Sequence, residues 1–113
     1  MRPKGVFMLK NFRTFMLSVE FYQLCKKLKI DRDQYDQIKR ASASICRNLS
    51  EGYSKPTFKD QRKFYYIALT SLRECEGIIL MEKIEDKVLL STQDKLGASI
   101  YKLCHSNTTF LRR

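Results

Sequence analysis

Only four glycines and two prolines punctuate the 113 residues, too few turn formers for the many short connections of a sandwich or barrel, so helices are favoured. Tryptophan is absent, and histidine occurs once, as His105. No stretch approaches the roughly 20 consecutive apolar residues that span a bilayer, and the apolar run that follows Met1-Arg2-Pro3-Lys4-Gly5 is too short for a signal peptide. A cytoplasmic location with no membrane partner is therefore expected. The four cysteines, Cys25, Cys46, Cys75 and Cys104, are widely spaced and form no CxxC pair. In a reducing compartment they are expected as buried thiols.

What is present is positive charge. Lysine and arginine number 22 against 12 carboxylates, a formal net charge of +10, and a field of that sign on a small body attracts polyanions, with nucleic acid, acidic lipid and an acidic protein all candidates. The excess is uneven. Residues 1–63 hold 15 basic and 6 acidic side chains, whereas residues 64–113 hold 7 and 6. A chain of this length supports one core, so a single domain over 1–113 is expected.

Apolar residues recur at helical intervals in four segments. Phe12, Phe15, Met16, Leu17, Val19, Phe21, Leu24, Cys25 and Leu28 mark a first helix over about 11–29. Asp31-Arg32-Asp33 supplies a capping carboxylate for a second, about 34–51, whose core face is Tyr35, Ile38, Ser42, Ile45 and Leu49 and which stops at Gly52. The small residues Ala41 to Ser44 would let a neighbouring helix approach closely. Pro56 discourages helix at Lys55, and Thr57 is placed to cap a long third helix over 58–83 that carries Phe64, Tyr65, Ala68, Leu69, Leu72, Cys75 and Ile79. Ser91, with Asp94 three residues on, is placed to start a fourth helix over 92–105. Four such helices with short connections bury their stripes most simply as an all-α, antiparallel up-down-up-down four-helix bundle.

No constellation carries catalysis. In that topology Cys25 and Cys75 fall at one end and Cys46 and Cys104 toward the other, more than about 10 Å apart at the helical rise, too far for one zinc ion. His105 has no nucleophile motif beside it, and the late carboxylates Glu74, Glu76, Glu82, Glu85 and Asp86 lack the Glu-x-x-His spacing of carboxylate-bridged metal bundles. No enzyme activity, cofactor or metal is expected. The remaining feature is a basic set in the middle of the chain: Lys39, Arg40, Arg47, Lys55, Lys59, Arg62 and Lys63, with Arg73 beyond. Arg40 and Arg47 share a helical face, and Lys55, Lys59, Arg62 and Lys63 surround the connection that follows, near Asn48 and Tyr53, so a continuous phosphate-binding surface is the expected nucleic-acid site. Asn48 and Glu51 are read as braces for the turn at Gly52.

The run Arg40-Ala41-Ser42-Ala43-Ser44-Ile45-Cys46-Arg47-Asn48-Leu49-Ser50-Glu51-Gly52, followed by Lys59-Asp60 and by Phe64-Tyr65-Tyr66-Ile67-Ala68-Leu69-Thr70-Ser71-Leu72-Arg73-Glu74, resembles the four-helix bundle proteins encoded in bacterial 23S rRNA intervening sequences. The resemblance spans about residues 9–105. The same superfamily includes the accessory variability determinant of diversity-generating retroelements, to which Arg73-Glu74 leans, although Thr70 stands where a glycine is usual and the first helix has no tryptophan. The resemblance implies a non-enzymatic, ring-forming homo-oligomer, a pentamer, that binds RNA or DNA as an accessory subunit of a reverse transcriptase. The alternative is a structural assembly protein of the intervening-sequence type, with Phe64, Tyr65 and Tyr66 forming subunit contacts.

Overall fold

A computed structural model describes residues 8–105, and in these the chain is helical with no strand. After a 3₁₀ turn, Leu9–Asn11, four helices follow: α1, Arg13–Cys25; α2, Arg32–Tyr53; α3, Phe58–Met81; and α4, Lys87–His105. Each packs on two others. α1 and α3 both lie against α2 and α4, closing a four-helix bundle around one apolar core. No helix among the described residues is long and apolar enough to cross a membrane.

The ends of the helices show how local chemistry trims the apolar pattern. α1 stops at Cys25, short of residue 29, because its last turn tightens: Lys27 N–H bonds Leu24 O at 3.1 Å and Leu28 N–H bonds Cys25 O at 3.1 Å. Leu28 and Ile30 still pack on the core, so the periodicity outlasts the helix. Asp31 is the N-cap of α2, but only its carbonyl is used, accepting from Tyr35 N–H at 2.8 Å; its carboxylate makes no cap bond. Thr57 caps α3 as its position implies, accepting from Asp60 N–H at 3.2 Å.

α3 ends at Met81 through a paired bond pattern in which Lys83 N–H reaches Leu80 O at 3.1 Å and Ile84 N–H reaches Ile79 O at 3.0 Å. That closure needs a left-handed residue at position 83, and the chain supplies a lysine at φ 53°. α4 then starts earlier than Ser91. The Asp86 carboxylate accepts from Leu89 N–H at 3.0 Å and opens the helix at Lys87, so the Ser91 and Asp94 pair lies inside the helix instead of capping it.

Phe21, Ile38, Ile45, Leu49, Leu72, Ile79, Leu89, Leu96 and Ile100 are all nearly or wholly buried, and each such side chain contributes about 1.5–3 kcal/mol of transfer free energy. Small polar residues hold the helices close. Ser44 and Ser71 hydroxyls meet at 2.9 Å between α2 and α3, and Thr14 and Ser99 join α1 to α4. The 44 Å long axis matches the roughly 36 Å that α3 spans at the helical rise, plus its connections.

Candidate nucleic-acid interface

The seven basic residues singled out in the sequence do not form one surface. Three lie at the start of α3: Lys59, Arg62 and Lys63 are exposed and one turn apart. Arg62 is held by aromatic neighbours, its guanidinium 5.7 Å from the Phe58 ring centre and 5.4 Å from that of Tyr66, with Nη2 donating to the Tyr66 hydroxyl at 3.4 Å. An arginine over an aromatic face keeps its charge while losing freedom.

Lys55 stands beside this group but is half-buried. It pairs with Glu51 at 3.2 Å and sits 5.2 Å from the Phe64 ring centre. Arg47, on α2, lines a cavity of about 390 Å³ with Phe15 of α1, Cys46, Ser50 and Glu51. It therefore belongs to the α1 and α2 side, whereas Arg62 faces α4 through Tyr66 and His105. Lys39 and Arg40 are exposed toward the other end of α2, where Gln34 donates to Glu82 at 3.3 Å; Gln61 bonds Lys55 O at the opposite end. Thirteen residues separate Arg40 from Tyr53 on α2, roughly 20 Å along the axis. The expected continuous surface is thus divided into the α3 cluster and, on α2, Arg47 with Lys39 and Arg40 about two turns further from the connection to α3.

Two further basic groups escaped sequence reading. The connection between α1 and α2 folds into an open concavity of about 560 Å³ lined by Lys26, Lys27, Lys29 and Arg32 with Leu28, Ile30 and Tyr35. The Tyr35 hydroxyl donates to Lys26 O at 3.0 Å and ties the wall to α2. The run Lys26-Lys27-Leu28-Lys29 was visible, but it was absorbed into the end of a helix. A groove of about 510 Å³ between α1 and α4 places Arg13, Lys95 and Lys102 beside Glu20, residues that only the tertiary fold brings together.

His105 is more than an isolated imidazole. Its ring lies 4.0 Å from the Tyr101 ring and edge-on to Tyr66 at 5.9 Å, with Nδ1 2.9 Å from Tyr101 O and Nε2 3.4 Å from the Tyr66 hydroxyl. Tyr65 is 4% exposed, which removes it from any subunit contact; burial pushes its phenol above the usual tyrosine range. Asn48 Nδ2 donates to Ser44 O at 2.9 Å and to Ser44 Oγ at 3.1 Å. It braces the middle of α2 and not the turn at Gly52.

The thiols also differ from the expected arrangement. Burial pushes Cys25 up to about 12, opposed by the Ser42 hydroxyl, and the thiol of Cys46, one helical turn beyond Ser42, is near enough to raise it further. Cys46 therefore neighbours Cys25 and Cys75, and Cys104 stands apart; Arg62 opposes the burial that brings Cys104 to about 11. Among the described residues no three His, Cys, Asp or Glu side chains converge to hold a metal ion. The late carboxylates have structural roles: Glu76 pairs with Arg73 at 3.4 Å, Glu82 accepts from Gln34, and Asp86 caps α4.

A family model described as 23S rRNA-intervening sequence protein matches residues 12–106, most of the chain, and the chain belongs to that family. Comparison with curated proteins finds no match, and comparison with solved structures finds none.

Proposed function

We propose that this member of the 23S rRNA-intervening sequence protein family binds RNA, or an RNA/DNA hybrid, through its basic surface and catalyses no reaction. The observation that carries the reading is the distribution of cations around the bundle. Among the described residues the ion pairs are Arg32 with Asp36, Lys55 with Glu51 and Arg73 with Glu76, and Arg40, Arg47, Lys59 and Lys63 take part in none of them. Such side chains contact phosphates wherever a folded RNA wraps the bundle, and each neutralised phosphate releases counterions. Shape and phosphate spacing, not base sequence, govern binding by this part of the surface.

In the same proposal the bundle is antiparallel, which the meetings of Gln34 with Glu82, Ser44 with Ser71 and Gln61 with Lys55 support. The protein works in the cytoplasm as a homo-oligomeric ring, a pentamer, serving a diversity-generating retroelement reverse transcriptase. That partner and stoichiometry rest on the resemblance described above. A second reading, a scaffold acting through protein contacts alone, is favoured by Leu80, Met81 and Val88, each more than 60% exposed.

Fluorescence anisotropy with a structured RNA, at several salt concentrations, tests the proposal, with light scattering on the same sample giving the mass. Affinity is expected to fall linearly on a logarithmic salt scale. Replacing Lys59, Arg62 and Lys63 with glutamine is expected to flatten the slope by about 2 to 3. Unchanged affinity in that variant overturns the placement of the site. Absence of binding at low salt, with partner association insensitive to salt, establishes the scaffold reading instead.

A further inference from the structure

Between α3 and α4 lies a cavity of about 230 Å³ lined by Leu72, Arg73, Glu76, Gln93, Asp94, Gly97, Ala98 and Tyr101. Its walls differ from the rest of the surface in three ways. The side-chain carbonyl of Gln93 is buried with no hydrogen-bond partner among the described residues, and a buried acceptor left alone costs about 1–3 kcal/mol unless a ligand or water satisfies it. Tyr101 is 53% exposed, while His105 lies nearly parallel to it at 4.0 Å, with the two rings tilted by 30°; His105 also meets Tyr66 edge-on, beside Arg62. Gly97 leaves the floor open, since the nearest atom to an added Cβ is Leu72 Cδ2 at 3.5 Å.

We propose that this groove takes one unpaired nucleobase of a bound RNA strand, its ring stacked on Tyr101 and its exocyclic amino group donating to Gln93 Oε1; the inference rests on the RNA-binding reading. The cavity is smaller than the roughly 300–1,000 Å³ of drug-sized sites, which suits a single planar heterocycle and excludes a base pair. Its polar lining is rich in acceptors. Arg73 is 3.4 Å from Glu76, which leaves Gln93 and Asp94 to receive donors. Adenine, cytosine and guanine carry an exocyclic amino group whose two N–H bonds can reach Gln93 and Asp94 together, whereas uracil offers only its single ring N3–H, so the groove favours the amino bases over uracil. Stacking on tyrosine tolerates any base and differs mainly between purines and pyrimidines, so oligo-C against oligo-U isolates the hydrogen bond. The basic cluster Lys59, Arg62 and Lys63, at the His105 end of the same face, is placed to hold the phosphates of the strand that delivers the base.

The test uses the full chain and fluorescent single strands of oligo-A, oligo-C and oligo-U of roughly ten nucleotides, a duplex of equal length, and free adenosine monophosphate. Wild-type protein is expected to bind oligo-A and oligo-C more tightly than oligo-U. Tyr101→Leu is expected to weaken oligo-A binding by about 5- to 100-fold and to leave the duplex unchanged. Gln93→Leu should narrow the difference between oligo-C and oligo-U. Gly97→Ala keeps the fold controlled, because a helical alanine is favoured over glycine; it should raise the melting temperature while weakening single-strand binding. Single-strand affinities unchanged in Tyr101→Leu and Gly97→Ala, with RNA still bound, would overturn the groove and leave the general reading standing. Wild-type protein that binds no RNA overturns both. Adenosine monophosphate bound as tightly as oligo-A overturns delivery by a strand.

Discussion

The two ends of the bundle are built on different terms. At the end where α2 turns into α3, aromatic rings fill every gap: Phe12 stacks on Tyr53 with centroids 4.4 Å apart and planes 10° from parallel, and Tyr65 lies 6.2 Å from Phe12. Gly52 is buried there, and a Cβ on it would sit 2.7 Å from Tyr65 Cε1 and 3.1 Å from Gln61 O. At the opposite end, where α1 meets α2 and α3 meets α4, the connections are open. Leu80 is 71% exposed, Met81 67% and Val88 62%, and the lysine-lined concavity lies at the same end. The tight end fixes its side chains against aromatic rings, Arg62 and Tyr66 among them, while the open end leaves apolar and basic groups exposed.

Alkaline pH probes the largest energetic contrast. The four thiols and Tyr65 all have folded-state values raised first by burial. A raised value means the neutral form is favoured in the fold, so this stability is full below the ordinary thiol value of 9.0 and drains as pH climbs through the folded values toward about 12. Each buried thiol contributes a loss of about 1.4 kcal/mol per pH unit in that window. Denaturant titrations at pH 8 and pH 11 are expected to differ by several kcal/mol. Cys104, toward the tight end, ionises at about 11, before Cys25 at about 12, which thiol-alkylation rates can follow one site at a time.

A matched pair of truncations sharpens the contrast between buried and open leucines. Leu49→Ala, at a wholly buried site near the tight end, is expected to cost about 2–5 kcal/mol. Leu80→Ala, at the open end, is expected to cost less than about 0.5 kcal/mol. Equal losses in urea denaturation would erase the distinction. Gly52→Ala then asks how rigid the tight end is: with a backbone oxygen as one of the near atoms, a loss of about 1–3 kcal/mol is expected, and a melting temperature that stays put shows that Tyr65 can move aside. A modest effect of opposite sign is expected at Lys83, whose φ of 53° costs a non-glycine residue roughly 1 kcal/mol. Lys83→Gly should raise the melting temperature by a few degrees, a gain confined to the open end.

Much of the helical order was legible because apolar spacing and one good cap are local signals. Thr57 with Asp60 announced α3, and Ile38, Ser42, Ile45 and Leu49 marked the buried face of α2 in advance. Boundaries were misread where two local signals competed. Ser91 looked like a cap, but Asp86 lies earlier and bonds Leu89 N–H first. Leu28 kept the helical period after the backbone had left the helix. The candidate interface was legible as charge and illegible as geometry. Arg47 and Arg62 are close in sequence yet lie on different sides, because which way a side chain faces depends on the partner helix. Tyr66, Tyr101 and His105 converge only because α4 packs against α3.

Composition and periodicity alone determined that this chain is basic, helical and without a metal-binding or nucleophile motif, since these follow from residue type and from spacing along a single helix. Tertiary structure decided the rest: which helices are neighbours, how the cations divide among several faces, and that Gln93 and Tyr101 line one groove with Arg73. The physical reason is distance along the chain. Capping and amphipathic spacing act within about one to two turns, whereas a groove is made by residues twenty or more positions apart, and only the packing of the shared core brings them within reach.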